Sequence, residues 1–154
     1  MTDARFQDAA EGPLRLRALD ADDLKVVASL AQDAVFPGSE MRWDRKARRF
    51  AILLNRFRWE DAGGRAERVQ SVLLIENAMA VRSQGVTKGG DIVLSLLDIA
   101  FEPGTGDEAP GGRIVLTLAG DGAVAVGVEA LEVVLRDVTR PYAAVSGKVP
   151  DHPA

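Results

Sequence analysis

Residues 128–138, Val-Glu-Ala-Leu-Glu-Val-Val-Leu-Arg-Asp-Val, support two readings. Val128, Leu131, Leu135 and Val138 recur at helical steps along one face. Val124, Val126 and Val128 followed by Leu131, Val133 and Leu135 instead alternate, as a strand whose phase slips at a bulge. An internal echo favours the strand. Leu74-Ile75-Glu76-Asn77-Ala78, Leu96-Leu97-Asp98-Ile99-Ala100 and Ala130-Leu131-Glu132-Val133-Val134 share the order of two apolar residues, an acid, then apolar again, as repeated hairpins do.

Upstream, 114–118 and 124–128 flank Gly120-Asp121-Gly122, the clearest hairpin signal in the chain. Before it come a Gly-, Pro- and acid-rich loop at 103–112, a strand over 91–102, and a long β-rich run over 68–83. That run is interrupted near Glu76-Asn77 by a bulge or bend. In 49–60, Phe50, Ile52 and Leu54 share one face while Ala51, Leu53, Phe57 and Trp59 share the other. Apolar residues on both faces predict a covered, central strand. Met41-Arg42-Trp43 forms a short strand, and 44–48 a charged turn.

The N-terminal part differs. Leu14-Arg15-Leu16-Arg17-Ala18-Leu19 alternates as a half-buried strand does. Asp20 then caps a helix, with Asp22 and Asp23 in its first turn. Leu24, Val27, Leu30, Ala31 and Ala34 form its apolar stripe, and Pro37-Gly38 ends it. The expected fold is therefore α+β and mainly antiparallel β. One helix follows the first strand, and about six strands then form a twisted sheet or partly closed barrel. A pleckstrin-homology-like barrel has a similar strand count, but it would need 128–138 to be helical. Residues 1–12 are expected to be a flexible arm, 13–140 one globular domain and 141–154 a C-terminal tail.

The 154 residues are 47% hydrophobic and 27% charged, the balance of a single soluble domain. No apolar run approaches the about 20 residues of a membrane span, and no secretory signal is visible. A cytoplasmic location is expected. With no cysteine, thiolate nucleophiles, disulfides, Fe–S clusters and Cys-containing zinc sites are excluded. The one histidine, His152, sits near the C-terminus between Pro150 and Pro153 and is unsuited to a catalytic triad. No metal site, cofactor or catalytic residue is expected. Gly104-Thr105-Gly106-Asp107-Glu108-Ala109 matches a dinucleotide fingerprint in form alone, because Pro110-Gly111-Gly112 follows where a helix must start. Asp20, Asp22 and Asp23 read as helix capping.

The net charge of −4 conceals a segregated pattern: −4 over 1–41, +6 over 42–58 and −6 over 59–154. The basic stretch interleaves Arg42, Arg45, Lys46, Arg48, Arg49, Arg56 and Arg58 with Trp43, Phe50, Phe57 and Trp59. Arginine forks suit phosphate or carboxylate oxygens, and aromatic rings suit stacking. Arg45, Lys46, Arg48, Arg56, Arg58, Trp43 and Trp59 are therefore the candidate ligand-binding residues. Arg56 and Arg58, two apart in a strand, share a face and clamp one anion, or they pair with Glu76 or Asp98 on neighbouring strands. Nucleic acid is possible but not the favoured partner, since the pI is about 5.0.

At 48–60, at Phe101-Glu102-Pro103-Gly104 and at Val128-Glu129-Ala130-Leu131, the chain resembles an uncharacterised family of short alphaproteobacterial proteins known as a domain of unknown function. The resemblance spans about residues 14–142. It implies a bacterial cytoplasmic setting and carries no activity with it. The first functional reading is a non-catalytic binding or accessory module for a protein partner or small anionic ligand. The second is a phosphate-backbone or anionic-lipid binder through the 42–58 hairpin. The third is a metal-independent enzyme using arginines and the carboxylates of Glu76, Asp98 and Glu132.

Overall fold

Asp20 does what its position promises. Its carboxylate accepts from the Asp23 amide at 2.8 Å and starts helix α1, Ala21–Ala31. Leu24, Val27, Ala28, Leu30 and Ala31 form the buried stripe. The structure, a computed structural model, describes residues 2–3, 13–61, 67–86, 92–140 and 142–143. The helix stops at Ala31, earlier than Pro37-Gly38 suggests. Asp33 turns left-handed at φ 64°, and its amide donates to Leu96 O while the Leu96 amide donates to Ala34 O, both at 2.8 Å. Ala34 is buried, but as extended chain captured by a neighbouring strand.

The strands in chain order are β1 (Thr2–Asp3), β2 (Arg15–Ala18), β3 (Val35–Pro37), β4 (Met41–Asp44), β5 (Arg49–Phe57), β6 (Glu67–Glu76), β7 (Ala78–Gln84), β8 (Val93–Pro103), β9 (Gly112–Leu118), β10 (Ala123–Val128), β11 (Val133–Asp137) and β12 (Tyr142–Ala143). They follow one path, β1-β2-β11-β6-β5-β3-β8-β9-β10-β7, with β4 against β5 and β12 against β6. Neighbours are antiparallel except β1 and β2. The fold is α+β with its helix after the first long strand, and the sheet is not closed. The long sequence segments anticipate β5 to β11 and the short segment at 41–43 anticipates β4, while β3 and β12 are short additions. The expected arm and tail fall outside the described residues, apart from β1 and β12.

Residues 128–138 are not helical, so the pleckstrin-homology-like arrangement is not formed. β10 ends at Val128 and β11 begins at Val133. The phase slip is a corner where the chain passes from one half of the sheet to the other. A second corner lies beside it at Asn77, whose φ of 58° is left-handed. The Glu129 amide donates to Asn77 O at 3.2 Å, and the Glu76 amide to Glu132 O at 3.0 Å. Two of the three echoed segments are thus paired neighbours, with Leu74 opposite Val134 and Ile75 opposite Val133. The third contains the register shift between Leu96 and Asp98 that passes β8 from β3 to β9.

Alternation builds the core. Phe50, Ile52 and Leu54 of β5, Leu73 and Ile75 of β6, and Val133 and Leu135 of β11 point inward with the helix stripe. Each such side chain, when fully buried, contributes about 1.5–3 kcal/mol. β5 is central in its hydrogen bonding, as expected, but it is not covered on both sides. Ala51 and Leu53 remain half-buried on an open outer face.

Candidate functional site

The seven candidate residues do not meet. β5 separates them, and nine residues of strand span about 26 Å. At its far end, inward alternation carries Arg56 into the interior with no exposure. The turn at Trp59–Asp61 brings Glu60 back, and its carboxylate takes two guanidinium hydrogen bonds at 2.8 and 2.6 Å. Asp137 of β11 accepts from Arg56 Nη2 at 3.0 Å and from the Ser71 hydroxyl at 2.7 Å. Its other oxygen accepts from the Leu14 amide at 2.8 Å. Burial acts to lower the Arg56 pKa, but the hydrogen bonds and charges of Glu60 and Asp137 outweigh it and hold the value above the ordinary arginine range. Arg56 is an internal tie between strands. The pairing with Glu76 or Asp98 is replaced by Glu60 and Asp137.

Its expected companions are engaged as well. Arg58 donates to Glu67 at 2.9 Å. Trp59 donates from Nε1 to Gln32 O at 2.9 Å and meets Phe57 edge-on at 4.8 Å. A cavity of about 540 Å³ lies elsewhere, between Met79, Val128 and the acids Glu102, Asp107, Glu108 and Glu129. Residues Gly106–Glu108 form a single 3-10 turn, so the fingerprint-like glycines open no helix.

At the near end, Trp43, Arg45 and Arg48 line a depression of about 320 Å³ with Ala78 and Met79. Trp43 Nε1 donates to Ala78 O at 3.3 Å, and the Arg45 guanidinium lies 4.6 Å from the Trp43 ring centre. Arg48 is tied to Glu129 at 3.1 Å. Lys46 stands exposed in the turn. Of the seven cations in 42–58, Arg48, Arg49, Arg56 and Arg58 each face a carboxylate. The hairpin is therefore less cationic than its count of +6.

The outer face of β2, β11, β6 and β5 gathers a different set. Leu16 and Ala18 point inward, which sends Arg15 and Arg17 outward, and Val133 and Leu135 do the same for Val134 and Arg136. Arg15 and Arg136 are direct cross-strand partners, about 5 Å apart at Cα. Both are exposed. They share a depression of about 180 Å³ with Arg49, Leu74, Glu76 and Glu132. There Arg49 is bound to Glu76, which raises its pKa chiefly through that hydrogen bond. Arg17 Nε lies 3.7 Å from Glu132. Among the described residues no salt bridge reaches Arg15 or Arg136. Like charges placed opposite each other are unfavourable in a sheet, so this pair is not explained by stability.

Sequence reasoning missed this face. Its signal was present in the basic residues alternating through 14–19 and in Arg136 within 128–138, but their adjacency needs the β2–β11 pairing. Of the carboxylates considered for acid–base work, Glu76 and Glu132 share the face, each beside an arginine. Asp98 lies on β8, at the register shift. No group of acids or histidine among the described residues is arranged to hold a metal ion, and no helix is long and apolar enough to cross a membrane.

The model of a family described as a protein of unknown function (DUF2948) matches residues 14–152. The chain belongs to the DUF2948 family. No curated protein and no solved structure matches the chain. The DUF2948 match spans β2 to β12, so both strands that carry the opposed arginines lie within it.

Proposed function

We propose that this protein is a non-catalytic binding module of the bacterial cytoplasm that takes an anionic partner on the open face of β2, β11, β6 and β5. One observation carries the reading: Arg15 opposite Arg136, beside half-buried aliphatic side chains. Two guanidinium forks at cross-strand spacing donate paired, charge-assisted hydrogen bonds to an anionic group. The hairpin reading has less support, because four of its cations already face carboxylates. The family resemblance supports a cytoplasmic and bacterial setting.

The test is an NMR titration with polyglutamate, repeated with polylysine. Polyglutamate is expected to shift the backbone amides of Arg15–Ala18 and Val133–Asp137, with the response shrinking as salt rises. Equal responses to both polymers, or shifts confined to the 44–48 turn, would overturn it.

A further inference from the structure

The same face has a second property besides charge. Ala51, Leu53, Val72 and Leu74 are half-buried and Val134 lies among them, 4% exposed. Register places them side by side, Ala51 opposite Leu74 and Leu74 opposite Val134, with Leu53 opposite Val72. They form an aliphatic belt across three strands, about 10 Å wide. Arg15, Arg17 and Arg136 border it on one side. Arg42, paired in register with Ala51, borders it on the other.

We infer that the partner seated on this face is an amphipathic α-helix of another protein, with glutamates or aspartates along the edges of an aliphatic stripe. The inference rests on the binding reading above and names its occupant. β5, β6 and β11 each have neighbours on both sides, so their backbone groups are already paired. The face thus offers side chains alone. An extended peptide laid on it would leave its own backbone groups without partners, whereas a helix satisfies them internally. A helix is about 10–12 Å wide with its side chains, which matches the belt. Acids at i and i+4 stand about 5–6 Å apart, close to the spacing of Arg15 and Arg136. The belt contains no aromatic ring on which a base could stack. Glu76 and Glu132 within the face oppose an anionic lipid surface, yet on a helix they accept a lysine or arginine next to the acids.

The test uses a synthetic peptide of about 18 residues, a leucine stripe bordered by glutamates at i and i+4, followed by fluorescence anisotropy with the full-length protein. Binding is expected to weaken at least about tenfold in Arg15→Glu/Arg136→Glu. It should persist in Arg82→Glu, an exposed arginine on β7. Backbone NMR spectra of the variants verify that the fold is retained. A peptide of the same composition interrupted by proline serves as the control. If it binds equally well, the helix is wrong while the anionic reading stands. Vesicles with about 30% phosphatidylserine that bind through the same arginines, without peptide binding, overturn the inference in favour of a membrane surface. No response to either acidic peptide or to polyglutamate removes both proposals.

Discussion

Arg56 shows how strictly strand alternation acts on a residue, whatever its charge. The phase that buries Phe50, Ile52 and Leu54 buries Arg56 too, and the fold supplies two carboxylates and a hydroxyl to receive it. Removing one member of such a cluster strands the others. Arg56→Met is expected to cost about 3–5 kcal/mol, measured by urea unfolding. Arg56→Met with Glu60→Gln and Asp137→Asn should recover part of that loss. Because the folded-state pKa of Arg56 is raised, its share of stability is present below the unfolded value and is lost only as pH climbs through the folded one. Replacing it together with Glu60 and Asp137 should therefore leave the pH dependence of unfolding unchanged from neutrality up to mild alkali. The inward phase of Arg56 is legible in 49–60, where alternate residues are apolar. Its partner Asp137 is not, because it lies 81 positions away on a strand whose register depends on the whole sheet.

The elements turn on two corners and on the glycines that permit close approach. A Cβ on Gly112 would collide with Glu102 O, and one on Gly111 with Val128 O. Gly112→Ala is expected to destabilise by about 1–3 kcal/mol. On β10, Gly127 meets nothing nearer than the Ala80 side chain at 3.6 Å, so Gly127→Ala should be stabilising by about 0.4–1 kcal/mol. Thermal unfolding of the two variants checks the contrast. Local patterns made most elements legible: the Asp20 cap, the Gly120-Asp121-Gly122 hairpin and the break at Asn77. Helix α1 ends early because Leu96 captures the chain after Asp33, a long-range contact that no local pattern carries. The slip between Val128 and Val133 is likewise visible in sequence, but its meaning as a corner depends on the hydrogen bonds to Asn77 and Glu76.

At the scale of the molecule, charge is arranged by pairing more than by sequence neighbourhood. The basic hairpin is largely neutralised, while arginines from opposite ends of the chain collect on an open face. If Arg15 and Arg136 are kept for binding, then Arg15→Gln/Arg136→Gln should gain a few tenths of a kcal/mol in stability, on the scale of about 0.2–1 kcal/mol for such pairs, while losing the acidic peptide. A matched loss of stability and binding would mean that the pair is structural instead. The opposed arginines also fix when the surface comes into being. Leu14 and Asp137, which close β2 onto β11, are 123 positions apart, and β11 lies between β2 and β6. During synthesis the ribosome releases β2 early, but its hydrogen-bonding neighbour emerges only after nearly all the other strands. Such distant pairings form late, so a nascent or truncated chain that stops short of Val133 carries Arg15 without its counterpart. A partner that needs both arginines would therefore bind only chains that have finished folding.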